Sequence, residues 1–265
     1  MWEVIHGENQ KVLKEREAGQ ANLLIADPPY NLAMAYEAYE DKKAAREYLE
    51  WAHDWMKQAV RALHDSGTMW VFINDTHASD FDVMLRHEFG LHRRSWVIWH
   101  YTFGRYQGKN FTPSHTPILY YVKDKDNYTF NANDPALRVP SARQVKYKDK
   151  RANNAGRLPD NTWVLFPEQL PEAYAPDSDT WLQSRVCGTF KERKSVSPNQ
   201  LPLPILERII LATSNVKDNV VDIFCGTGAA GEVAVNLDRD YLGIDVSEKC
   251  CAATRERIQN VCAGQ

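Results

Sequence analysis

Two stretches of this chain hold residue types whose spacing could support chemistry. The first is Asp27-Pro28-Pro29-Tyr30, which follows the apolar run Leu23-Leu24-Ile25-Ala26. A short unbroken apolar run bounded by prolines reads as a buried parallel strand that stops where the prolines remove ladder donors. In open α/β sheets, ligands bind just beyond the carboxyl ends of strands. A carboxylate, two stiff carbonyls and an aromatic ring are therefore expected at a site. The exocyclic amine of adenine or cytosine is a poor nucleophile, because its lone pair is conjugated into the ring. An acceptor on its N–H lets the nitrogen pyramidalise as it attacks. Asp27 and the Pro28 carbonyl are such acceptors, and Tyr30 offers a face on which a base can stack. Taken alone, the tetrapeptide reads equally well as a polar strand end with a proline stop.

The second stretch, Asp222-Ile223-Phe224-Cys225-Gly226-Thr227-Gly228-Ala229-Ala230-Gly231, lies far along the chain. Its three glycines fit G-x-G-x-x-G between a strand and a helix. Asp245, closing the next apolar run Tyr241-Leu242-Gly243-Ile244, could hold ribose hydroxyls. The generic reading is a dinucleotide fingerprint. Two features point elsewhere. Asp222 sits inside the strand, where a carboxylate can meet an ammonium but has no task beside a pyrophosphate. A dinucleotide fold also needs further strands after Asp245, and none is expected there. The sheet must then be completed from the N-terminal half, by strands at Val4–Ile5, Leu23–Ala26 and Met69–Ile73. Both motifs come to one sheet edge.

The remaining elements follow from periodicity and punctuation. A short helix is expected over Lys11–Ala18. Asn31–Glu40 is a loop, with Met34, Tyr36 and Tyr39, that can act as a flap. Asp41 is expected to cap a helix to about His64, with Ala45, Tyr48, Leu49, Ala52, Trp55, Met56, Ala59 and Leu63 at helical spacing. A strand over Thr68–Ile73, a helix over Ser79–Phe89 and strands at Ser95–Tyr101 and Ile118–Val122 come next. Arg105, Lys109 and His115 lie between those last two, in a loop of the kind that meets ligand. Pro202 and Pro204 open a helix, and Ser247 caps the last one.

At 265 residues, 43% hydrophobic and 25% charged, the chain has the composition of a globular α/β protein. No signal peptide and no membrane-length apolar run is evident, and a cytoplasmic location is expected. The five cysteines form no C-x-x-C pair, so neither a zinc site nor a disulfide framework is indicated. A net charge of −3 does not advertise nucleic-acid binding, so any basic surface must be local. From Lys123 onward periodicity fades. Arg138, Arg143, Lys146, Lys148, Lys150, Arg151 and Arg157 then cluster against the single acid Asp149. Such a cluster is either a phosphate-binding surface or a solvated loop.

Taken together, the two motifs and their order resemble the beta group of amino-methyltransferases acting on DNA. His6-Gly7-Glu8-Asn9 is similar to the group's G-D turn, with Glu8 in place of Asp. Asp179-Thr180-Trp181 and Arg185–Arg193 resemble a stretch common before the helix motif H-P-T-Q-K-P, which here reads Ser197-Pro198-Asn199-Gln200-Leu201-Pro202. The resemblance implies an S-adenosylmethionine-dependent, Rossmann-like fold with a mixed, mostly parallel sheet between helices and a circularly permuted motif order. Residues 1–123 and 197–265 would form the catalytic domain and 124–196 an inserted target-recognition region. It assigns catalysis to Asp27, Pro28, Pro29 and Tyr30. Cofactor contacts would come from Glu8, Asp27, Asn199, Gln200, Asp222, Phe224, Gly226, Thr227, Gly228 and Asp245. DNA contacts would come from Arg105, Lys109, His115, Arg143, Lys146, Lys148, Lys150, Arg151 and Arg185. No metal is implied. The partner is double-stranded DNA, and members of the group pair as homodimers or work beside a cognate restriction endonuclease. Asp at the head of the tetrapeptide goes with adenine N6 and Ser with cytosine N4, so adenine is the expected base and cytosine N4 the alternative. RNA or protein N-methylation, a catalytically silent DNA-binding protein and an NAD-dependent oxidoreductase are the more distant readings.

Overall fold

The computed structural model describes residues 1–100, 108–109, 111, 113–139, 144, 147–163 and 199–264. Its elements run β1 (Trp2–His6), α1 (Asn9–Glu15), β2 (Ala21–Ala26), α2 (Ala45–Ala62), β3 (Leu63–Phe72), α3 (Asp75–Val83), β4 (His92–His100) and β5 (His115–Val122). They continue with β6 (Thr162–Trp163), α4 (Leu203–Thr213), β7 (Asn219–Asp222), α5 (Ala229–Asn236), β8 (Asp240–Asp245) and α6 (Glu248–Gly264). A π-helical turn, Met84–Glu88, prolongs α3.

Among the described residues the strands form one sheet in the order β1-β8-β7-β2-β3-β5-β4-β6. From β1 through β3 every pairing is parallel, and β5 runs antiparallel to both β3 and β4. The expectation that N-terminal strands complete the sheet begun by the glycine-turn strand is met: β2 pairs with β7, with Ile25 opposite Asp222.

The unbroken apolar run of β2 reflects burial on both faces. Leu23 and Ile25 join a core with Ile205, Leu206 and Ile209 of α4, Val233 of α5 and Ile258 of α6. Leu24 and Ala26 point the other way, into a core with Leu13 of α1, Tyr48, Trp55 and Met56 of α2 and Phe81 of α3. The period-2 alternation of a strand sorts the run into these two sets. On α2 the buried positions Tyr48, Ala52, Trp55, Met56 and Ala59 make one stripe at helical spacing.

Several boundaries differ from expectation. The first helix starts earlier and stops at Glu15. α3 begins at Asp75, where Asn74 caps it by accepting from the His77 N–H at 3.2 Å. Asp41 caps nothing: α2 starts at Ala45, and its N-cap Ala44 has no side-chain bond. The Asp41 carboxylate instead collects backbone N–H groups of the loop that follows Tyr30. Ser247 does cap α6, accepting from the Cys250 N–H at 3.3 Å.

Candidate active site

Because β1, β8, β7, β2 and β3 are parallel, their carboxyl ends share one edge. Asp222 is the last residue of β7, Asp245 the last of β8, and Asp27 the first beyond β2. A cavity of about 620 Å³ opens there. Of the residues singled out from sequence, Glu8, Asp27, Pro29, Asn199, Gln200, Asp222, Phe224, Gly226, Thr227 and Asp245 all line it. Two motifs from opposite ends of the chain thus face one space.

The tetrapeptide is held from several sides. The Tyr30 hydroxyl donates to Asp27 Oδ1 at 2.6 Å. The Tyr48 hydroxyl donates to the Pro29 carbonyl at 2.8 Å, and Asn74 Nδ2 donates to the Tyr30 carbonyl at 3.2 Å. Tyr48 is fully buried and stacks on Phe81, with ring centroids 6.0 Å apart. Among the described residues the Pro28 carbonyl takes no hydrogen bond. Of the three carbonyls from Pro28 to Tyr30, this one is without a hydrogen-bond partner, and Pro28 itself is buried.

The glycine turn is built around Asp245. Its Oδ2 accepts from the Gly226 N–H at 2.9 Å and its Oδ1 from the Ser247 N–H at 2.9 Å. Gly226 and Gly228 have φ of 50° and 77°, a region costly for residues with a Cβ. A Cβ on Gly228 would also lie 2.9 Å from the Thr254 Cα, so α6 could not pack as it does. Asp222 Oδ1 accepts from the Phe224 N–H at 3.2 Å. Thr227 donates to Gln200 at 3.3 Å, which ties the segment before α4 to the turn.

The cavity wall is electrostatically primed. Burial pushes the Asp27 carboxyl up to about 7, partly offset by the Tyr30 hydrogen bond. Burial does the same for Asp222, up to about 7, opposed by the Phe224 N–H and reinforced by the neighbouring charges of Asp27 and Asp245. Asp245 is also raised by burial, against the backbone donors of Ser247, Gly226 and Val246. Carboxylates gathered in a poorly solvated wall are best relieved by a cationic ligand. Glu8 stands apart: its carboxylate is half-exposed and bonded to Lys11 at 2.6 Å.

Other predicted residues lie elsewhere. His115 opens β5 opposite His100, at the same edge of the sheet. Lys148 and Lys150 are exposed, while Arg151 pairs with Asp149 at 2.9 Å. Arg138, counted in the basic cluster, donates to the Ala132 and Gly156 carbonyls and so braces its own loop. Arg105, Arg143, Lys146 and Arg185 lie outside the described residues.

Sequence reading missed four participants. Asn9 is buried in the cavity wall, donating to the Ile223 carbonyl at 3.0 Å while its Oδ1 has no partner. Trp51 lines the cavity from α2 and meets Phe224 at 5.9 Å between ring centroids. Tyr48 reads as core from its spacing, and its hydroxyl bond is invisible in sequence. Asn74 carries an N-cap signal, but only the fold brings its amide to Tyr30. The flap residues Tyr36, Glu37 and Tyr39 do line the cavity. Asn199 donates to the Tyr36 hydroxyl at 3.2 Å, and Glu37 bonds to Ser247 and Lys249 across the opening.

Residues 21–256 match the family described as DNA methylase, the N6/N4 amino-methyltransferases, and the chain belongs to that family. It is 32% identical over 250 residues to the type II methyltransferase M.HpaI of Haemophilus parainfluenzae, covering 94% of this chain and 72% of that protein. It is 29% identical over 252 residues to the DNA adenine methyltransferase YhdJ of Escherichia coli K12, covering 93% and 79%. The solved M1.HpyAVI–SAM complex superposes with a TM-score of 0.63 at 19% identity, over 97% of this chain and 99% of that one.

Proposed function

We propose that this protein transfers a methyl group from S-adenosylmethionine to the N6 amine of an adenine flipped out of double-stranded DNA. The observation that carries the reading is the shared cavity, which brings Asp27 and Pro29 of the tetrapeptide to the same space as Asp222 and the glycine turn. The acidic wall fits a cofactor that is cationic at both sulfonium and ammonium. Asp222 would hold the ammonium, the Gly226–Gly228 turn the backbone of the methionine moiety, and Asp245 the ribose. Glu8, with Asn199 and Gln200, would border the adenosine side. When bound, S-adenosylmethionine supplies a methyl group on a cationic sulfur.

The chain's own residues then do three things. Asp27 and the Pro28 carbonyl would accept the two N–H bonds of the target amine, leaving its lone pair free to take the methyl group, and the proton that the methylated nitrogen then sheds would pass to Asp27 or onward to solvent. Tyr30 gives up its bond to Asp27 and stacks on the base. The flap and Trp51 narrow the opening and exclude water. Rate comes from positioning and fixed charge, with no covalent intermediate on the enzyme. The base must leave the stack, since its amine is otherwise inside the duplex. Residues 124–196 are assigned to target recognition, with Lys109, His115, Lys148 and Lys150 on the DNA side.

Adenine is favoured by the Asp at the head of the tetrapeptide and by the adenine specificity in the name of YhdJ. The test is incubation with mixed-sequence DNA and labelled S-adenosylmethionine, followed by digestion to nucleosides. N6-methyladenosine is the expected product. N4-methylcytosine would overturn the base assignment, and unlabelled DNA the function.

A further inference from the structure

The loop after Tyr30 is held by many hydrogen bonds for a segment that carries exposed apolar side chains. Asp41, itself buried, accepts from the backbone N–H of Asn31 at 2.7 Å, Leu32 at 3.1 Å and Met34 at 2.9 Å. The Asp41 carbonyl accepts from the Ala33 N–H at 2.6 Å. The Asn31 side chain bonds both the N–H and the carbonyl of Lys43, at 2.7 and 2.9 Å. Asn31 and Ala33 are held at φ of 59° and 56°, a left-handed region that Asn tolerates and that is costly for Ala33. Such strain persists only where the surroundings over-determine it, and it marks functional segments.

These restraints present Leu32, 54% exposed, and Met34, 39% exposed, to solvent. Asn31 to Tyr36 contains no charged residue. Leu32 follows Tyr30 by two positions, and Met34 directly precedes Ala35 and Tyr36, which line the cavity. The pair therefore belongs to the segment that joins the tetrapeptide to the cavity-lining Ala35 and Tyr36. A single exposed leucine needs no explanation. Two exposed apolar side chains on a backbone pinned by a buried carboxylate, directly after the tetrapeptide, do need one.

We infer that Leu32 and Met34 form an apolar wedge that enters the duplex and fills the space vacated by the flipped base. This rests on the DNA-methyltransferase reading above and adds the surface that opens the stack. Proteins that unstack DNA commonly do so with leucine, methionine or similar apolar side chains. A preformed wedge loses little conformational freedom on insertion, which is the advantage of the Asp41 anchor. Its place two residues beyond the base-stacking Tyr30 couples insertion of the wedge to arrival of the base at Asp27.

The experiment compares wild type with the Leu32→Ala/Met34→Ala double variant on a duplex bearing the unmodified target site found in the methylation assay above. A second duplex has a mismatch opposite the target, which lowers the cost of flipping. The double variant is expected to lose about tenfold or more in kcat/KM on the matched duplex, and to return to within about twofold of wild type on the mismatched one. Fluorescence of 2-aminopurine at the target position should rise less with the variant than with wild type on the matched duplex. S-adenosylmethionine affinity should be unchanged, and Leu32→Met/Met34→Leu should keep the wild-type rate. Equal losses on both duplexes, or no loss on the matched one, would overturn the wedge. A wild type that methylates no DNA would instead overturn the reading beneath it.

Discussion

The Tyr48 hydroxyl donates to the Pro29 carbonyl at 2.8 Å, so a core residue of α2 grips the tetrapeptide directly. Asn74 grips the next carbonyl while also capping α3. Together they fix the orientation of the peptide groups that follow Pro28, and with them the direction of its unbonded carbonyl. Tyr48→Phe keeps the ring and its stacking but loses this bond. It should cost about 1 kcal/mol of stability and lower kcat by about 10- to 100-fold, with S-adenosylmethionine affinity unchanged. Asn74→Asp separates the two roles of Asn74, since a carboxylate still caps the helix but cannot donate to Tyr30. It should retain the melting temperature and lose kcat. Steady-state kinetics beside thermal melts decide; a variant that melts early with normal kcat would make the grip purely structural.

Asp27→Ala removes an acceptor for the target amine. Turnover should fall by about 100-fold or more, while calorimetric binding of S-adenosylmethionine stays close to wild type. Asp27→Asn, which can still accept one hydrogen bond, should fall less. Near-normal turnover for the alanine variant would place the chemistry elsewhere.

The raised carboxyls predict a pH dependence with a definite sign. Asp27 and Asp222 stay protonated in the folded ligand-free protein up to about 7, whereas unfolded aspartates ionise near the ordinary value of about 4. The folded state therefore binds more protons across that window. Stability without ligand should fall as pH rises from about 4 to about 7. A cation beside Asp222 favours its ionised form. Stabilisation by S-adenosylmethionine should therefore be larger at pH 8 than at pH 5.5, with protons released on binding. Melting curves with and without cofactor across this range test the sign, and an equal shift at both pH values would remove Asp222 as the cationic subsite. Gly228→Val should weaken binding at every pH, because its side chain meets the Thr254 backbone.

Much of this arrangement is legible in the chain. The apolar run of β2 and the glycine turn announce strand ends, and the lack of a use for Asp222 beside a pyrophosphate forces the N-terminal strands into the same sheet. What sequence hides is reach. Asp41 has the form of an N-cap, yet its carboxylate finds better donors in the strained turn of Asn31, Leu32 and Met34. Tyr48 and Trp51 look alike as helix residues, but one bonds the tetrapeptide and the other lines the cavity. Charge counts mislead for the same reason. Arg138, Arg151 and Arg157 contribute to a basic tally but are engaged by carbonyls and by Asp149 and Asp160.

That engagement sharpens the prediction for the basic segment. A cation bound to phosphate releases condensed counterions, so each such pairing steepens the fall of affinity with salt. Arg151 is compensated by Asp149, and Arg138 is committed to its own loop. Lys148 and Lys150 are exposed and flank Asp149 in a chain of net charge −3. If this segment holds DNA, Lys148→Ala/Lys150→Ala should weaken binding to matched and unrelated sequences alike. The slope of log affinity against log salt should fall by roughly one unit for each phosphate no longer neutralised. Arg151→Ala should change the slope less, because the pair it breaks is nearly neutral. S-adenosylmethionine affinity should not move in either variant, since neither lysine lines the cavity at the strand ends. Binding titrations at several salt concentrations, with cofactor calorimetry alongside, test this directly. Slopes identical to wild type would make the segment a solvated loop and move the DNA surface to the β4–β5 connection, around Lys109 and His115.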